Sequence, residues 1–237
     1  MKNKVFRHEL KYLMSEREAV LIRSRLREKA RIDEHAVNGS YFIRSLYFDD
    51  LRESAYGDKQ AGTSERRKFR IRIYNYSDDV ISLECKEKKG SYILKRSGRI
   101  SKEELDRILS GDYSFLPERE ESVLKEFYIS LCSEGLRPSV MVDYDRVPYV
   151  FDPGTVRITF DENIRSGFMS YDLFDKSIPV FSAMDPGMLI MEVKFTEYLP
   201  DTVKDLIEPG AAVQLAASKF VMCSDVMRDI RGFRRTV

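Results

Sequence analysis

Five separate segments of the chain place charged residues two apart inside β-like sequence: Glu9-Leu-Lys11, Arg70-Ile-Arg72, Glu84-Cys-Lys86-Glu-Lys88, Arg157-Ile-Thr-Phe-Asp161 and Glu192-Val-Lys194. Residues i and i+2 of a strand share one face. Each segment therefore presents a charged face backed by an apolar one. One such strand is the ordinary solvated face of an antiparallel sheet. Five admit a second arrangement, a barrel whose charged faces line the interior while the apolar faces meet outer helices. Alternation fits both. In the second, Lys and Arg build a concave surface suited to a strongly anionic ligand.

Composition restricts how such a surface can arise. The 237 residues include 40 Lys and Arg against 39 Asp and Glu, a net charge of +1. Global basicity thus gives no argument for nucleic-acid binding, and an anion site must come from local segregation of charge. The length suits one domain, expected over residues 1–237. Cys85, Cys132 and Cys223 are odd in number and widely spaced, which is neither a disulfide framework nor a zinc spacing. A reducing, cytoplasmic setting is expected. The opening residues carry no apolar signal core, and no apolar run approaches the ~20 residues of a membrane span. The Asn38 and Asn75 sequons are read as chance matches.

Strand signals recur along nearly the whole chain, with helices between them. Residues 4–14 alternate. Ser15 with Glu18 forms a capping box opening a helix to about Ala30, and Ser101 with Glu104 opens another to about Leu109. Residues 31–40 read as a loop, 41–48 as a strand ended by Asp49-Asp50, and the stretch to Asp58 as a short helix or turn. Strands are expected over 66–76, 80–88, 92–99, 137–151, 155–163 and 188–197, with turns at Lys89-Gly90 and Asp152-Pro153-Gly154. Helices are expected over 118–132 and 213–228, and residues 165–187 read as irregular. This pattern favours one antiparallel α+β domain over a doubly wound fold.

Several familiar sites are absent. There is no Walker loop and no dinucleotide-binding glycine fingerprint. His8 and His35 are the only histidines, and no G-x-S-x-G occurs, so a serine or cysteine triad is not supported; His8 is read as structural. What remains is Lys and Arg on strands, which match phosphate oxygens. Carboxylates in such a site repel phosphate unless they hold Mg²⁺ or Mn²⁺; Glu192, Glu9 and Glu84 are the candidates. Tyr41, Phe42, Tyr47 and Phe48 are read as packing residues, as are Met188, Met191, Met222 and Met227. Arg228, Arg231, Arg234 and Arg235 are read as a solvated basic end.

Taken in order, further pieces carry a resemblance: Arg7-His-Glu-Leu-Lys-Tyr12, Arg44-Ser-Leu-Tyr-Phe-Asp-Asp50, Arg67-Lys-Phe-Arg-Ile-Arg-Ile-Tyr74, Leu83-Glu-Cys-Lys-Glu-Lys88, Lys95-Arg-Ser97, Arg137 to Arg146, Arg157 to Asp161, Met191-Glu-Val-Lys194 and Ser218-Lys-Phe220. The ordered set resembles the VTC domain, the catalytic domain of vacuolar transporter chaperone polyphosphate polymerases, within the triphosphate tunnel metalloenzymes and their CYTH relatives. The resemblance implies an eight-stranded antiparallel β-barrel tunnel with helices outside. It implies transfer of the ATP γ-phosphate to a growing polyphosphate chain with a divalent metal, Mn²⁺ or Mg²⁺. By matched motif it assigns Lys11, Arg70, Arg72, Lys86, Arg146 and Arg157 to phosphate binding and catalysis. Lys95, Lys194 and Lys219 become further phosphate contacts, with Ser218 and Tyr144 as supporting donors. Glu192 becomes the metal ligand, with Glu9 and Glu84 as additional candidates.

The expected partners are ATP, polyphosphate and pyrophosphate or triphosphate, with no nucleic acid. A separate membrane protein accepting the polymer would place a cytoplasmic enzyme at a membrane. The alternatives are a tunnel triphosphatase and a non-catalytic polyphosphate or nucleotide sensor. CYTH-type first strands read Glu-x-Glu-x-Lys, whereas this chain reads Arg7-x-Glu9-x-Lys11. One carboxylate has become a cation, which fits the VTC branch.

Overall fold

The computed structural model describes residues 7–232 except 91, 153, 154, 197, 209 and 211. The expected Asp152-Pro153-Gly154 turn beyond Asp152, strand residues 4–6, Glu197 and the basic residues Arg234 and Arg235 lie outside the described residues. The chain divides into two compact units, each assembled from separated segments. Unit 1 is residues 1–42, 144–164 and 184–218; unit 2 is 43–143, 165–183 and 219–237.

Eight described strands have nine residues or more: β1 (Arg7–Ser15), β3 (Tyr41–Asp49), β4 (Glu65–Tyr74), β5 (Ser77–Lys89), β6 (Tyr92–Ile100), β7 (Arg137–Phe151), β8 (Val156–Gly167) and β10 (Met188–Thr196). Three are short: β2 (Arg31–Ile32), β9 (Val180–Ser182) and β11 (Val213–Gln214). The helices are α1 (Glu16–Arg27), α2 (Ser54–Gln60), α3 (Lys102–Ser110), α4 (Ser122–Ser133), α5 (Asp201–Leu206) and α6 (Lys219–Ile230). The strand pairs with a defined register are antiparallel, which establishes the expected α+β class.

In unit 1 the strand order is β11-β1-β10-β8-β7, with β2 against β7. One face is apolar: Met14, Ile158, Phe160, Met191 and Val193 pack with Ala19, Ile22 and Leu26 of α1. The α1 helix begins where expected. Ser15 Oγ accepts from the Glu18 amide, and the Ser15 amide donates to Glu18 Oε2. His8 lies opposite Phe195 and stacks on its ring at 5.1 Å, a packing role.

In unit 2 the order is β7-β3-β4-β5-β6, with β9 against β8. Leu46, Phe48, Phe69, Ile71, Leu83 and Cys85 form its apolar face, covered by side chains of α3 and α4 such as Leu105, Ile108, Leu124 and Phe127. The Asp49-Asp50 pair ends β3 by capping the next helix. Asp49 accepts from the amides of Ala55 and Tyr56, and Asp50 from those of Arg52 and Ser54. These contacts satisfy amides that a helix start leaves unpaired. The β4–β5 hairpin turns at Asn75-Tyr76, both with positive φ (51° and 57°). The asparagine read as a chance sequon is thus a turn residue.

Three expectations change. The final helix starts at Lys219 rather than 213, because Val213 and Gln214 pair with Leu13 and Tyr12 of β1. Edge pairing overrides the helical propensity of the alanines there. Residues 165–187 are not wholly irregular: β8 continues to Gly167, and β9 pairs with it. Finally, α1 stops at Arg27, and Arg31–Ile32 in the expected loop pairs with β7.

The most buried ion pair of unit 2 joins Arg44 of β3 to Asp143 of β7. Nε and Nη2 donate to the two carboxylate oxygens at 2.9 and 2.8 Å, and Nη1 reaches the Asp175 carbonyl at 2.5 Å. Both side chains are no more than 2% exposed. Removing one partner strands a buried charge, so Asp143→Ala should cost about 3–5 kcal/mol of unfolding free energy. In urea titrations the double change Arg44→Met/Asp143→Leu should lose less than the two single changes combined.

Candidate functional site

The faces opposite the two apolar cores carry the charged residues picked out by alternation. In each unit a buried carboxylate gathers cations around itself.

In unit 2 that carboxylate is Glu84, on β5. Arg70 of β4 stands directly opposite it. Arg70 donates from Nε and Nη2 to Glu84 Oε2 at 2.8 and 2.6 Å. Lys95 of β6 donates to Oε1 at 2.8 Å, and Arg72 Nη1 lies 4.0 Å from Oε2. Burial opposes the charge on Glu84, but Arg70, Arg72 and Lys95 outweigh it and hold the carboxyl well below the usual range. Arg72 also donates to Ser45 Oγ at 3.0 Å, and Arg70 Nη1 to the Tyr47 hydroxyl at 2.7 Å. Lys86 lies exposed on the same face, opposite both Lys68 and Lys95. The structure brings Arg70, Arg72, Glu84 and Lys95 together.

Tyr47 departs from its reading as packing alone. Its ring does pack on Phe220, with centroids 5.0 Å apart. Its hydroxyl, however, accepts from Arg70 Nη1 on the charged face. Burial pushes the phenol up, but Arg70, Arg72 and Lys219 outweigh this and lower it. The available signal was register parity: Ser45 and Tyr47 alternate on β3 opposite Arg72 and Arg70.

In unit 1 the central carboxylate is Glu192, on β10. Lys11 of β1 lies opposite it, with Nζ 3.2 Å from Glu192 Oε1 and 3.2 Å from Glu9 Oε1. Lys194 Nζ donates to Glu192 Oε2 at 2.8 Å, and Arg146 Nη2 is 3.5 Å from it. Arg146 is itself clamped by Asp161 at 2.6 and 2.7 Å and lies over the Tyr144 ring at 5.3 Å. Burial works against the Lys11 ammonium, but Glu192 and Glu9 outweigh it and raise it above its ordinary value. Burial dominates at Lys194 and lowers it. Arg157 stands directly opposite Lys194, but its own side chain pairs with Asp33 and the Tyr41 hydroxyl. Ser218 is half-buried just before α6, and the Ala217 carbonyl preceding it accepts from Lys11 at 3.1 Å. Asp33 is a partner that the sequence did not single out, and Tyr41, expected only to pack, contributes its hydroxyl.

A divalent metal can be tested against these donors. Among the described residues no group of three or more His, Cys, Asp or Glu forms a metal cage. Glu9 and Glu192 do converge on one point, now filled by the Lys11 ammonium. One or two carboxylates completed by substrate phosphates and waters is the donor set that Mg²⁺ favours, and oxygen ligands also suit Mn²⁺. The residues therefore fit such an ion at Glu9 and Glu192. Glu84 fits less well, because both its oxygens already accept from Arg70 and Lys95.

A profile of the VTC domain matches residues 6–228. The chain belongs to the VTC domain family. No curated protein matches it. Among solved structures, a putative adenylate cyclase from Bacillus halodurans is 15% identical, with 90% of this chain and 94% of that one covered at a TM-score of 0.55. A putative adenylyl cyclase from Hippeastrum, described as having a dominant triphosphatase activity, is also 15% identical, with 92% and 95% covered at 0.55. These two show the shared fold, that of the antiparallel triphosphate tunnel proteins. The VTC family is one of polyphosphate- and triphosphate-related tunnel enzymes. Among the described residues no helix is long and apolar enough to cross a membrane.

Lowering of the Glu84 carboxyl sets the sign of a pH effect. Its contribution to stability is fully present above the ordinary value of 4.5 and is lost as pH falls toward the folded value. The urea midpoint of the wild type should therefore drop between about pH 5 and pH 3, with part of that slope missing in Glu84→Gln. At pH 7 the same change should cost about 2–3 kcal/mol, discounted for the partial exposure of Arg70 and Lys95.

Proposed function

We propose that this VTC domain is an ATP-dependent polyphosphate polymerase. The observation that carries the reading is the Glu9–Lys11–Glu192 arrangement: two carboxylates converging on one cationic position, with Lys194 and Arg146 adjoining Glu192. Glu9 and Glu192 would hold Mn²⁺ or Mg²⁺, which when bound would neutralise charge on the transferring phosphates. With Arg7 where CYTH-type strands have a carboxylate, the donor set suits one ion.

The chain's own residues supply the remainder. Arg70 and Arg72 present guanidinium forks to phosphate oxygens, and Lys95 and Lys86 add point charges. Tyr47 can donate its hydroxyl proton to a phosphate oxygen while Arg70 holds its lone pair. Lys11, Lys194 and Arg146 take phosphate oxygens in unit 1, with Tyr144 beneath the Arg146 guanidinium. Arg157, Lys219 and Ser218 are assigned further phosphate contacts from the family pattern.

In the reaction a terminal oxygen of the polyphosphate forms a bond to the ATP γ-phosphorus. The bond from that phosphorus to the β–γ bridging oxygen breaks, and ADP leaves. The nucleophile is already an anion, so neither a general base nor a covalent enzyme intermediate is required. Catalysis is then positioning and charge stabilisation. The activity would sit in the cytoplasm, with a membrane partner receiving the polymer.

A second reading, hydrolysis of triphosphate or a nucleotide, draws on the activity described for the Hippeastrum protein. Incubation with ATP and Mn²⁺ separates them. A polymer ladder on gels with release of ADP is expected. Orthophosphate without polymer would establish the hydrolase instead, and salt-sensitive binding with no turnover a sensor. Glu192→Gln should lower turnover about 100-fold or more, and Arg70→Ala should weaken both ATP binding and turnover, by about tenfold in each. Metal removal by chelation should abolish polymer formation.

A further inference from the structure

A row of three lysines crosses unit 2 on its charged face. Lys68 of β4 stands opposite Lys86 of β5, and Lys86 opposite Lys95 of β6. Like charges directly opposed destabilise an antiparallel pair. The adjacent row, Arg70–Glu84–Ser97, contains its own carboxylate; the lysine row contains none. Lys95 reaches sideways to Glu84. Lys68 makes no ion pair among the described residues, and its ammonium lies 4.2 Å from the centre of the Phe220 ring of α6.

The surroundings add to the positive charge. Lys59 of α2, Arg66 of β4 and Lys86 of β5 all act against the Lys68 ammonium, and Asp49 at the end of β3 only partly offsets them. Burial, followed by these cations, pushes Lys68 down to about 7. Covering Phe220 does not require a cation, since an aliphatic side chain would do it without the repulsion. An ammonium in these surroundings would be stabilised by an anion supplied from outside.

We propose that Lys68, with Lys86 and Lys95 in register beside it, is an additional anion subsite that selects extended polyphosphate over triphosphate. The identity of the anion rests on the polyphosphate reading above. Arg72, Arg70 and Lys68 are alternate residues on one face of β4, spaced about 7 Å apart. A linear polyanion lying along Arg72 and Arg70 therefore continues onto Lys68, whereas a short one held by the arginines ends before it.

Equilibrium binding of the full chain to long-chain inorganic polyphosphate and to inorganic triphosphate, without ATP, tests this. Lys68→Gln should weaken polyphosphate about tenfold and leave triphosphate within about twofold, as loss of one charge-assisted contact at the far position predicts. Lys68→Arg should retain the wild-type preference. Wild-type affinity for polyphosphate should also fall between about pH 6 and pH 8.5 by more than that of Lys68→Arg, whose guanidinium stays charged. That comparison decides the matter even if Lys68→Gln folds poorly. Equal weakening of both anions, no effect of Lys68→Gln, or matching pH profiles for the wild type and Lys68→Arg would each overturn the subsite. A wild-type protein that binds neither anion would instead overturn the polyphosphate reading. Absence of turnover leaves the binding result intact.

Discussion

Everything on the charged faces depends on how a sheet accommodates cations at positions that are largely buried. Isolated buried charge is costly, and long basic side chains on neighbouring strands repel one another. This chain meets both constraints by interleaving carboxylates with the cations, Glu84 in unit 2 and Glu192 with Glu9 and Asp161 in unit 1. Glu84 is 4% exposed and faces Arg70, Arg72 and Lys95. Glu192 is 6% exposed and faces Lys11, Lys194 and Arg146. Each carboxylate holds in place cations that would otherwise splay apart, and each unit keeps its apolar core on the opposite face of the same strands.

Such clusters are poor sources of net stability, because desolvation offsets most of the Coulomb attraction. They are better understood as pre-organisation. Around Glu84 the cations Arg70, Arg72 and Lys95 outnumber the carboxylate and leave net positive charge fixed in position, whereas in unit 1 Lys11, Lys194 and Arg146 are balanced by Glu9, Glu192 and Asp161. On the proposed function, phosphate oxygens would meet donors whose ordering cost has largely been met in folding, which is how electrostatic preorganisation supports phosphoryl transfer.

Much of this was legible in the sequence because β alternation is a strict period of two. Arg70, Arg72, Glu84, Glu192 and Lys194 fall on the faces that parity assigns. The two capping boxes placed the starts of α1 and α3 correctly, since Ser15–Glu18 and Ser101–Glu104 satisfy local amides whatever the tertiary context. What escaped depends on long-range pairing. Val213–Gln214 becomes a strand only because the edge of β1 is available, and Val180–Ser182 only because β8 runs on to Gly167. Tyr47 resembles a core aromatic from β3 alone; its hydroxyl matters because Arg70 is its cross-strand neighbour. The pairing of Arg157 with Asp33 joins residues 124 positions apart and has no local signature.

The two glutamate clusters differ in a way that bears on their chemistry. Glu84 is gripped mainly by guanidinium, with both Nε and Nη2 of Arg70 on one oxygen. A planar fork of this kind is directional and weakly hydrated, so Arg70 and Arg72 keep fixed orientations that a phosphate can engage beside the carboxylate. Glu192 is approached mainly by ammonium groups, Lys11 and Lys194. These are compact point charges on flexible stems, which would be able to turn from carboxylate to phosphate if Glu9 and Glu192 held a divalent ion. On the proposed function the arginine-bound cluster is therefore the fixed phosphate cradle. The lysine-bound cluster would be the exchangeable one, its carboxylates Glu9 and Glu192 being the pair that would hold the ion and its lysines the groups that would turn to phosphate.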